Sequence, residues 1–331
     1  MNKSQKQTMI RAVWLSVIVI LAALGLMSCS STHLGNQVEA QMHITLVAPV
    51  HAGEQGDAMR LGADAAAKEF GAELEYISFE PAEDAKEQLE AAMEAVKQGA
   101  SAVLIDPADE DVLKELAAKA SARGAPVITL NNVQIDKGVM AAISIDNELA
   151  GRQAGVAMAE LLSGSGTITI LRSDRSDPDL ELREAGIRAA LAEYEDIRVT
   201  EGASCGTLRS ACWQAAMQLL EREQVEGVVA LETPASLGLS DEVKRRGEER
   251  KIKIVAFGSE TAQLELLQEG ILHKLVVQNG FSTGYLGVQQ AVELLSGGGR
   301  VDKPTLLETK VIDADNMFWM VNQKMLFPFV Q

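Results

Sequence analysis

The chain has 331 residues, a formal net charge of −17, 47% hydrophobic residues and only 4% aromatics. That length suffices for two domains with cores of their own. The acidic balance excludes nucleic acid as a partner, because affinity there comes largely from Lys and Arg neutralising phosphates, and so few aromatic rings leave no broad stacking platform.

Residues 1–11 are basic, with Lys3, Lys6 and Arg11 and no acid; 12–27 are almost unbroken apolar sequence, closed by Leu26-Met27-Ser28-Cys29. This is the layout of a signal peptide over 1–28 ending in a lipoprotein cleavage site, with Cys29 as the lipidated new N-terminus. The alternative is an uncleaved membrane anchor, but the apolar run spans about 16 residues, short of the roughly 20 a spanning helix needs. Residues 29–41 then read as a lipidated flexible tether, and two acyl chains would give the stable attachment that one does not. Cleavage takes the formal charge from −17 to −20. Such a chain works on the outer side of the cytoplasmic membrane, at a cell surface or in a periplasm.

From His43 onward short apolar runs alternate with amphipathic stretches. Strands are expected over 44–48, 74–78, 102–105 and 127–130, with helices over 59–70, 81–97 and 111–123 between them. The strands are continuous apolar runs rather than alternating ones, as in a parallel sheet covered on both faces. A second series begins at Asp146, with helices over 146–162, 180–192, 208–221, 235–246 and 262–269. Its strands are expected over 167–171, 197–200, 227–231, 252–257 and 274–278. Two βα series imply an α/β chain of two doubly wound parallel-sheet domains.

Cys205 and Cys212 remain once Cys29 is assigned to lipid. On one continuous helix a separation of seven gives roughly 10 Å of rise, too far for a disulfide. A bridge requires Cys205 to lie in the loop before the helix, which Gly206 and Thr207 permit; the alternative is two buried free thiols.

Ligands of doubly wound sheets sit beyond the carboxyl ends of the strands. Those tips are polar and punctuated by Gly and Pro: 49–55 (including His51, Glu54 and Gln55), Asp106-Pro107, Asn131-Asn132, Asp146-Asn147, 173–179, Glu232-Thr233-Pro234, Gly258-Ser259-Glu260 and Gln278-Asn279. Each alone reads as a solvated loop; together, at equivalent positions of repeated units, they favour one shared polar site.

The chain resembles the type I periplasmic solute-binding proteins, close to the ribose/galactose-type sugar binders. The resemblance covers roughly residues 43–331. It is carried by Leu61-Gly62-Ala63-Asp64-Ala65-Ala66-Ala67-Lys68-Glu69-Phe70-Gly71, by Ala102-Val103-Leu104-Ile105-Asp106-Pro107-Ala108-Asp109 and by Gly124-Ala125-Pro126-Val127-Ile128-Thr129-Leu130. Ile145-Asp146-Asn147, Leu182-Arg183-Glu184-Ala185-Gly186-Ile187 and Val255-Ala256-Phe257-Gly258 continue it. It implies two domains joined by a three-strand hinge, with the chain crossing near Ile145, Gln278 and Ile312. The lobes would then be 42–145 plus 280–311 and 146–279 plus 312–331.

The resemblance also implies ligand contacts at Asp106, Arg183, Glu232 and Gln278. Arg183 offers a rigid fork of donors, Asp106 and Glu232 accept from hydroxyls, and Gln278 and Asn131 do both. Three places depart from the pattern. Asn131-Asn132 stands where the pentose binders have an Asp-Arg pair, Gly258-Ser259 replaces a sugar-binding Asp, and Gln55-Gly56 replaces the aromatics that sandwich a sugar ring. A hexose or pentose is the ligand the family implies. The departures, with Glu54, Asp106 and Glu232 outnumbering Arg183, favour a more polar or cationic solute such as an amino sugar, a cyclitol or a furanose-type signal.

Catalytic motifs are missing from the sequence: no Gly-x-Ser-x-Gly, no phosphate-cradling Gly-x-x-x-x-Gly-Lys-Ser/Thr and no His-Glu-x-x-His, while Ser163-Gly164-Ser165-Gly166 reads as a turn. The four His residues have no metal-ligand spacing, so neither an enzyme nor a metal or cofactor is expected. Sugar-responsive repressors share the fold, but the place of their DNA-binding head is taken here by the signal segment. Two roles follow from the resemblance for a monomeric receptor: delivery of a captured solute to an ABC permease, or reporting it to a sensor kinase or chemoreceptor.

Overall fold

The computed structural model describes residues 41–327 except 50–52, 80–84, 108–109, 134, 136–137, 175–176, 223 and 250. The signal segment, Cys29 and His51 lie outside the described residues. The first lobe is built from β1 (His43–Pro49), α1 (Gly53–Phe70), β2 (Glu73–Phe79), α2 (Ala85–Gln98), β3 (Ala102–Ile105), α3 (Glu110–Ser121), β4 (Val127–Leu130) and β5 (Val139–Ile145). Two later elements, α9 (Gly280–Leu295) and β12 (Thr305–Leu307), complete it. Its sheet is parallel throughout, in the order β12-β5-β4-β3-β1-β2.

Both faces of these strands are buried. Ile44, Leu46, Leu104 and Ile128 face a cluster under α1 and α9, whereas Val47, Val103, Ile105 and Val127 face a second cluster under α2 and α3. Successive residues point to opposite faces, so a strand covered on both sides must be apolar at every position. That is the physical origin of the continuous runs.

The second lobe comprises α4 (Asn147–Leu161), β6 (Ser165–Ser173), α5 (Pro178–Leu191), β7 (Asp196–Val199), β8 (Ala203–Cys205), α6 (Arg209–Arg222) and β9 (Gly227–Ala230). It continues through α7 (Thr233–Arg246), β10 (Lys253–Phe257), α8 (Thr261–Gln268), β11 (Lys274–Val277), β13 (Lys310–Ile312) and α10 (Met320–Leu326). The sheet runs β13-β11-β10-β9-β6-β7, with β8 also paired to β6 and only β13 antiparallel. Its faces are again two clusters: Val228, Ile254 and Ala256 lie under α6 and α7, and Val229, Val255 and Phe257 under α4 and α5.

The chain passes between the lobes after β5, after β11 and between β12 and β13. The third passage differs from the expected position near Ile312. Leu307 pairs with Ile145 in the first sheet, while Lys310, Val311 and Ile312 pair with Val277, Val276 and Leu275 in the second. Glu308 and Thr309 are therefore the passage, and Ile312 is already fully buried in the second lobe. Two three-residue strands this close together leave no periodicity from which a sequence can place the switch.

Helix α9 carries Gly280, Gly284 and Gly287 on its inward face. Those small residues are what the packing requires: a Cβ on Gly284 would stand 1.8 Å from the Met59 carbonyl oxygen, and one on Gly62 would stand 1.9 Å from that of Phe281. The backbones of α1 and α9 touch. At the other passages Asp146 caps α4 through the Leu149 amide at 2.8 Å and Asn279 caps α9 through the Ser282 amide at 3.0 Å, satisfying donors that a helix start leaves open. Cys205 closes β8 and is disulfide-bonded to Cys212 on α6, with the Cα atoms 4.7 Å apart.

Candidate ligand-binding site

The carboxyl ends of both sheets face one cavity of about 370 Å³. From the first lobe it is lined by Gln55, Asp106 and Asn131, and from the second by Arg183, Glu232, Phe257, Ser259 and Glu260. Ile145, Gln278 and Thr309, one from each passage, form its back wall.

In the first lobe Asp106 directly follows β3. Its carbonyl accepts a hydrogen bond from Nε2 of the fully buried Gln88 at 2.7 Å, and its carboxylate accepts from Asn131 Nδ2 at 2.9 Å. Asn131 follows β4 with φ +54°, a left-handed conformation that Asn tolerates better than most residues. Its amide donates to the Ile143 carbonyl at 2.8 Å, which extends strand pairing by one residue and holds the side chain against Asp106. Gln55 lies in the first turn of α1, and its Nε2 is buried with no acceptor among the described residues. A ligand oxygen at that nitrogen would offset the desolvation of an unmade hydrogen bond.

In the second lobe Arg183 is held from three sides. Its Nε donates to Asn147 Oδ1 at 2.8 Å, Nη1 donates to the Leu231 carbonyl at 3.0 Å, and the guanidinium carbon lies 4.7 Å above the Phe257 ring. These three contacts fix the plane of the guanidinium. Glu232 precedes α7, and its carboxylate accepts from the Ser173 amide at the end of β6. The Ser173 hydroxyl is buried without a partner among the described residues.

Behind the Gly258-Ser259-Glu260 tip sits Gln263, fully buried. Its Nε2 donates to the Phe257 carbonyl at 2.9 Å and to Ser236 Oγ at 2.8 Å, while its Oε1 accepts from the Glu260 amide at 3.1 Å. Thr309 is steadied by donating to Gln153 Oε1 at 2.6 Å. Three carboxylates and one guanidinium therefore face a cavity rich in neutral amide and hydroxyl groups. This set can accept from and donate to a polyhydroxylated solute, and Phe257 offers its ring to Arg183 rather than to a sugar face.

The expected site residues divide into two groups. Gln55, Asp106, Asn131, Arg183, Glu232, Ser259 and Gln278 line the cavity. Asn132 does not; its carbonyl accepts from Thr129 Oγ1 at 3.3 Å, so it braces the loop. Glu54 borders only a narrow crevice of about 10 Å³ beside the cavity, and its polar atoms bond to the other lobe. Phe257, Gln263 and Thr309 were not legible as site residues. Phe257 reads as strand core and Thr309 as part of a long connection. Gln263 did leave a signal, since Gln three residues after a helix-starting residue is the capping-box spacing.

Among the described residues, no group of three or more His, Cys, Asp or Glu side chains is placed to hold a metal, and no helix is long and apolar enough to cross a membrane. The periplasmic binding protein domain model matches residues 44–299. The chain belongs to the type I periplasmic binding protein family.

This binding protein is 25% identical over 298 residues to the D-ribose/D-allose-binding protein of Pseudomonas aeruginosa, covering 84% of this chain and 91% of that one. It is 26% identical over 204 residues to a xylitol-binding protein of Mycolicibacterium smegmatis, covering 61% of this chain and 58% of the relative. Among solved structures, a glucose-galactose binding protein from Geobacillus stearothermophilus superposes with a TM-score of 0.78 at 25% identity, over 84% of this chain and 99% of that one. An ABC transporter solute-binding protein from Agrobacterium vitis, bound with α-D-tagatopyranose, superposes with a TM-score of 0.79 at 22% identity, over 86% and 99%. The latter likeness is one of fold.

Proposed function

We propose that the protein captures a monosaccharide or a similar polar solute between its lobes. Tethered through Cys29 outside the cytoplasmic membrane, it would then deliver the solute to an ABC importer. The observation that carries this reading is the two-sided cavity: Asp106 and Asn131 reach it from one lobe, and Arg183 and Glu232 from the other. A solute bonded to both sides favours the closed arrangement, because only there are all its contacts made. The cavity lies within the roughly 300–1,000 Å³ of small-molecule pockets. The relatives named for D-ribose, D-allose and xylitol support a polyhydroxylated ligand.

The proposal is tested by a thermal-shift screen of pentoses, hexoses, alditols, amino sugars and cyclitols, followed by calorimetry. A true ligand raises the melting temperature with its concentration, and Arg183→Ala abolishes that shift with the fold intact, since it removes a positioned charge facing polar ligand atoms. A panel without any shift would sink the sugar reading, and an Arg183→Ala protein of unchanged affinity would remove Arg183 from the site. Deleting the gene should then abolish uptake of the labelled ligand; binding with uptake unimpaired would move the protein to a sensing role.

A further inference from the structure

At the mouth of the cleft the lobes bond to one another through two glutamates. Glu54 is the second residue of α1 in the first lobe, and Glu260 immediately precedes α8 in the second. The Glu260 carboxylate accepts the Glu54 amide with its two oxygens at 3.0 and 3.2 Å. In return the Glu54 carboxylate accepts the Thr261 amide at 2.9 Å. Each lobe thus places an anion on an open N–H group at the start of a helix belonging to the other lobe, where the helix dipole also favours negative charge. Glu54 and Glu260 lie 206 positions apart in sequence, so only the approach of the lobes brings them together.

The surroundings are shaped for this exchange. Gly53 has φ +67°, and a Cβ there would stand 2.4 Å from Glu260 Oε1; a glycine is required both for the turn and for the glutamate's approach. On the other side Gln263, anchored in the core of the second lobe, fixes the Glu260 amide at 3.1 Å. Each carboxylate meets the opposite helix start, so the contact requires the two lobes to be held in this register.

We infer that Glu54 and Glu260 form a reciprocal latch of the closed state. They are positioning residues that set the balance between open and closed forms whichever solute fills the cavity. Glu260 also borders the cavity, whereas Glu54 does not, so Glu54 separates latching from ligand contact. The inference is independent of the sugar reading.

The experiment is hydrogen exchange on the full chain, joined to distance measurements between spin labels on Ala118→Cys in α3 and Gln218→Cys in α6, both exposed. Glu54→Ala should speed exchange of the Thr261 amide in the opposite lobe, and Glu260→Ala that of the Glu54 amide. A residue with a purely local role would not act on the other lobe. Both variants should move the label distances toward an open population by about tenfold, the usual scale for losing one hydrogen bond to a charged group. Glu54→Gln, which keeps an oxygen acceptor, should restore most of the Thr261 protection. Unchanged exchange at Thr261 in Glu54→Ala, or label distances that do not respond to either alanine variant, would overturn the latch.

Discussion

In the first lobe α1 and α9 cross with Gly62 against the Phe281 carbonyl and Gly284 against that of Met59; in the second, α4 and α5 cross with Gly151 against Arg183 and Gly186 against Glu148. All four sites would put a Cβ within 2.1 Å of a carbonyl oxygen. The contact is the same, but the connection is not. Helices α4 and α5 are neighbours in sequence, whereas α9 reaches α1 only after the chain has built most of the second lobe and returned through Gln278. The second lobe also carries the Cys205–Cys212 disulfide and a buried cluster around Glu242, and no disulfide occurs among the described residues of the first. Arg183 thus sits on a helix pair closed locally in sequence, with the braces on the opposite face of the same sheet. Asp106 and Asn131 follow strands covered by a helix that arrives late.

The sharpest way to break this contrast is Gly284→Val. A side chain in the path of the Met59 carbonyl must push two helix backbones apart, so a loss of about 4 kcal/mol is expected, at the upper end of single substitutions. Urea unfolding gives the size, and hydrogen exchange gives the place. Protection should fall across 53–70 and 280–295 while 178–191, which bears Arg183, keeps its own. Equal loss in both lobes would show that they unfold as one unit and would erase the contrast.

Glu242 tests the bracing of the second lobe. Its fully buried carboxylate accepts from Arg245 at 2.6 and 2.8 Å, from Arg246 at 2.6 Å and from Trp213 Nε1 at 3.0 Å; Arg246 goes on to donate to the Leu220 and Met217 carbonyls of α6. Hydrogen bonding from Arg245, then from Arg246 and Trp213, holds its pKa down to about 2, against an ordinary 4.5. A depressed acid stabilises the fold above its unfolded pKa and loses that effect as pH falls through the folded one. Glu242→Gln should therefore cost about 3 kcal/mol near neutrality, as for a broken buried ion pair. The gap between variant and native protein should then close as pH falls from 4.5 toward 2, read from urea midpoints at several pH values. A gap independent of pH would mean that the carboxylate's charge contributes nothing.

The legibility of the fold follows the same division. Strands such as 102–105 and 227–230 could be read because burial on both faces leaves a continuous apolar run. In helix α9, Gly280 and Gly284 look like breakers, because these glycines serve a contact with α1 that lies far away in sequence. At the site, Asp106, Glu232 and Gln278 were readable as polar residues at strand tips, whereas Arg183, inside α5, came only from the family resemblance; all four line one cavity. Glu54 has the same local signature, yet its partners are amides of the opposite lobe, and only tertiary geometry distinguishes a ligand contact from a contact between lobes. Phe257 was hidden for the opposite reason: its role is to support Arg183 while it looks like any other core residue.

The disulfide gives the smallest effect and the finest test. Cys205 and Cys212 close a short loop joining β8 to α6, and α6 packs against α7 so tightly that a Cβ on Gly238 would stand 2.5 Å from the Trp213 amide nitrogen. In the chain-entropy account, opening so small a loop costs about 2.5 kcal/mol. The Cys205→Ser/Cys212→Ser protein should lose that much stability, with faster exchange in 203–222 and little change in 53–70 or at Asp106. The Glu242 cluster lies on the same pair of helices, so the two braces share a load. Combining this double variant with Glu242→Gln should cost more than the sum of the separate losses, because either brace alone still holds α6 against α7. Strict additivity would make them independent supports, and the second lobe's advantage over the first would then come from its local helix crossing alone.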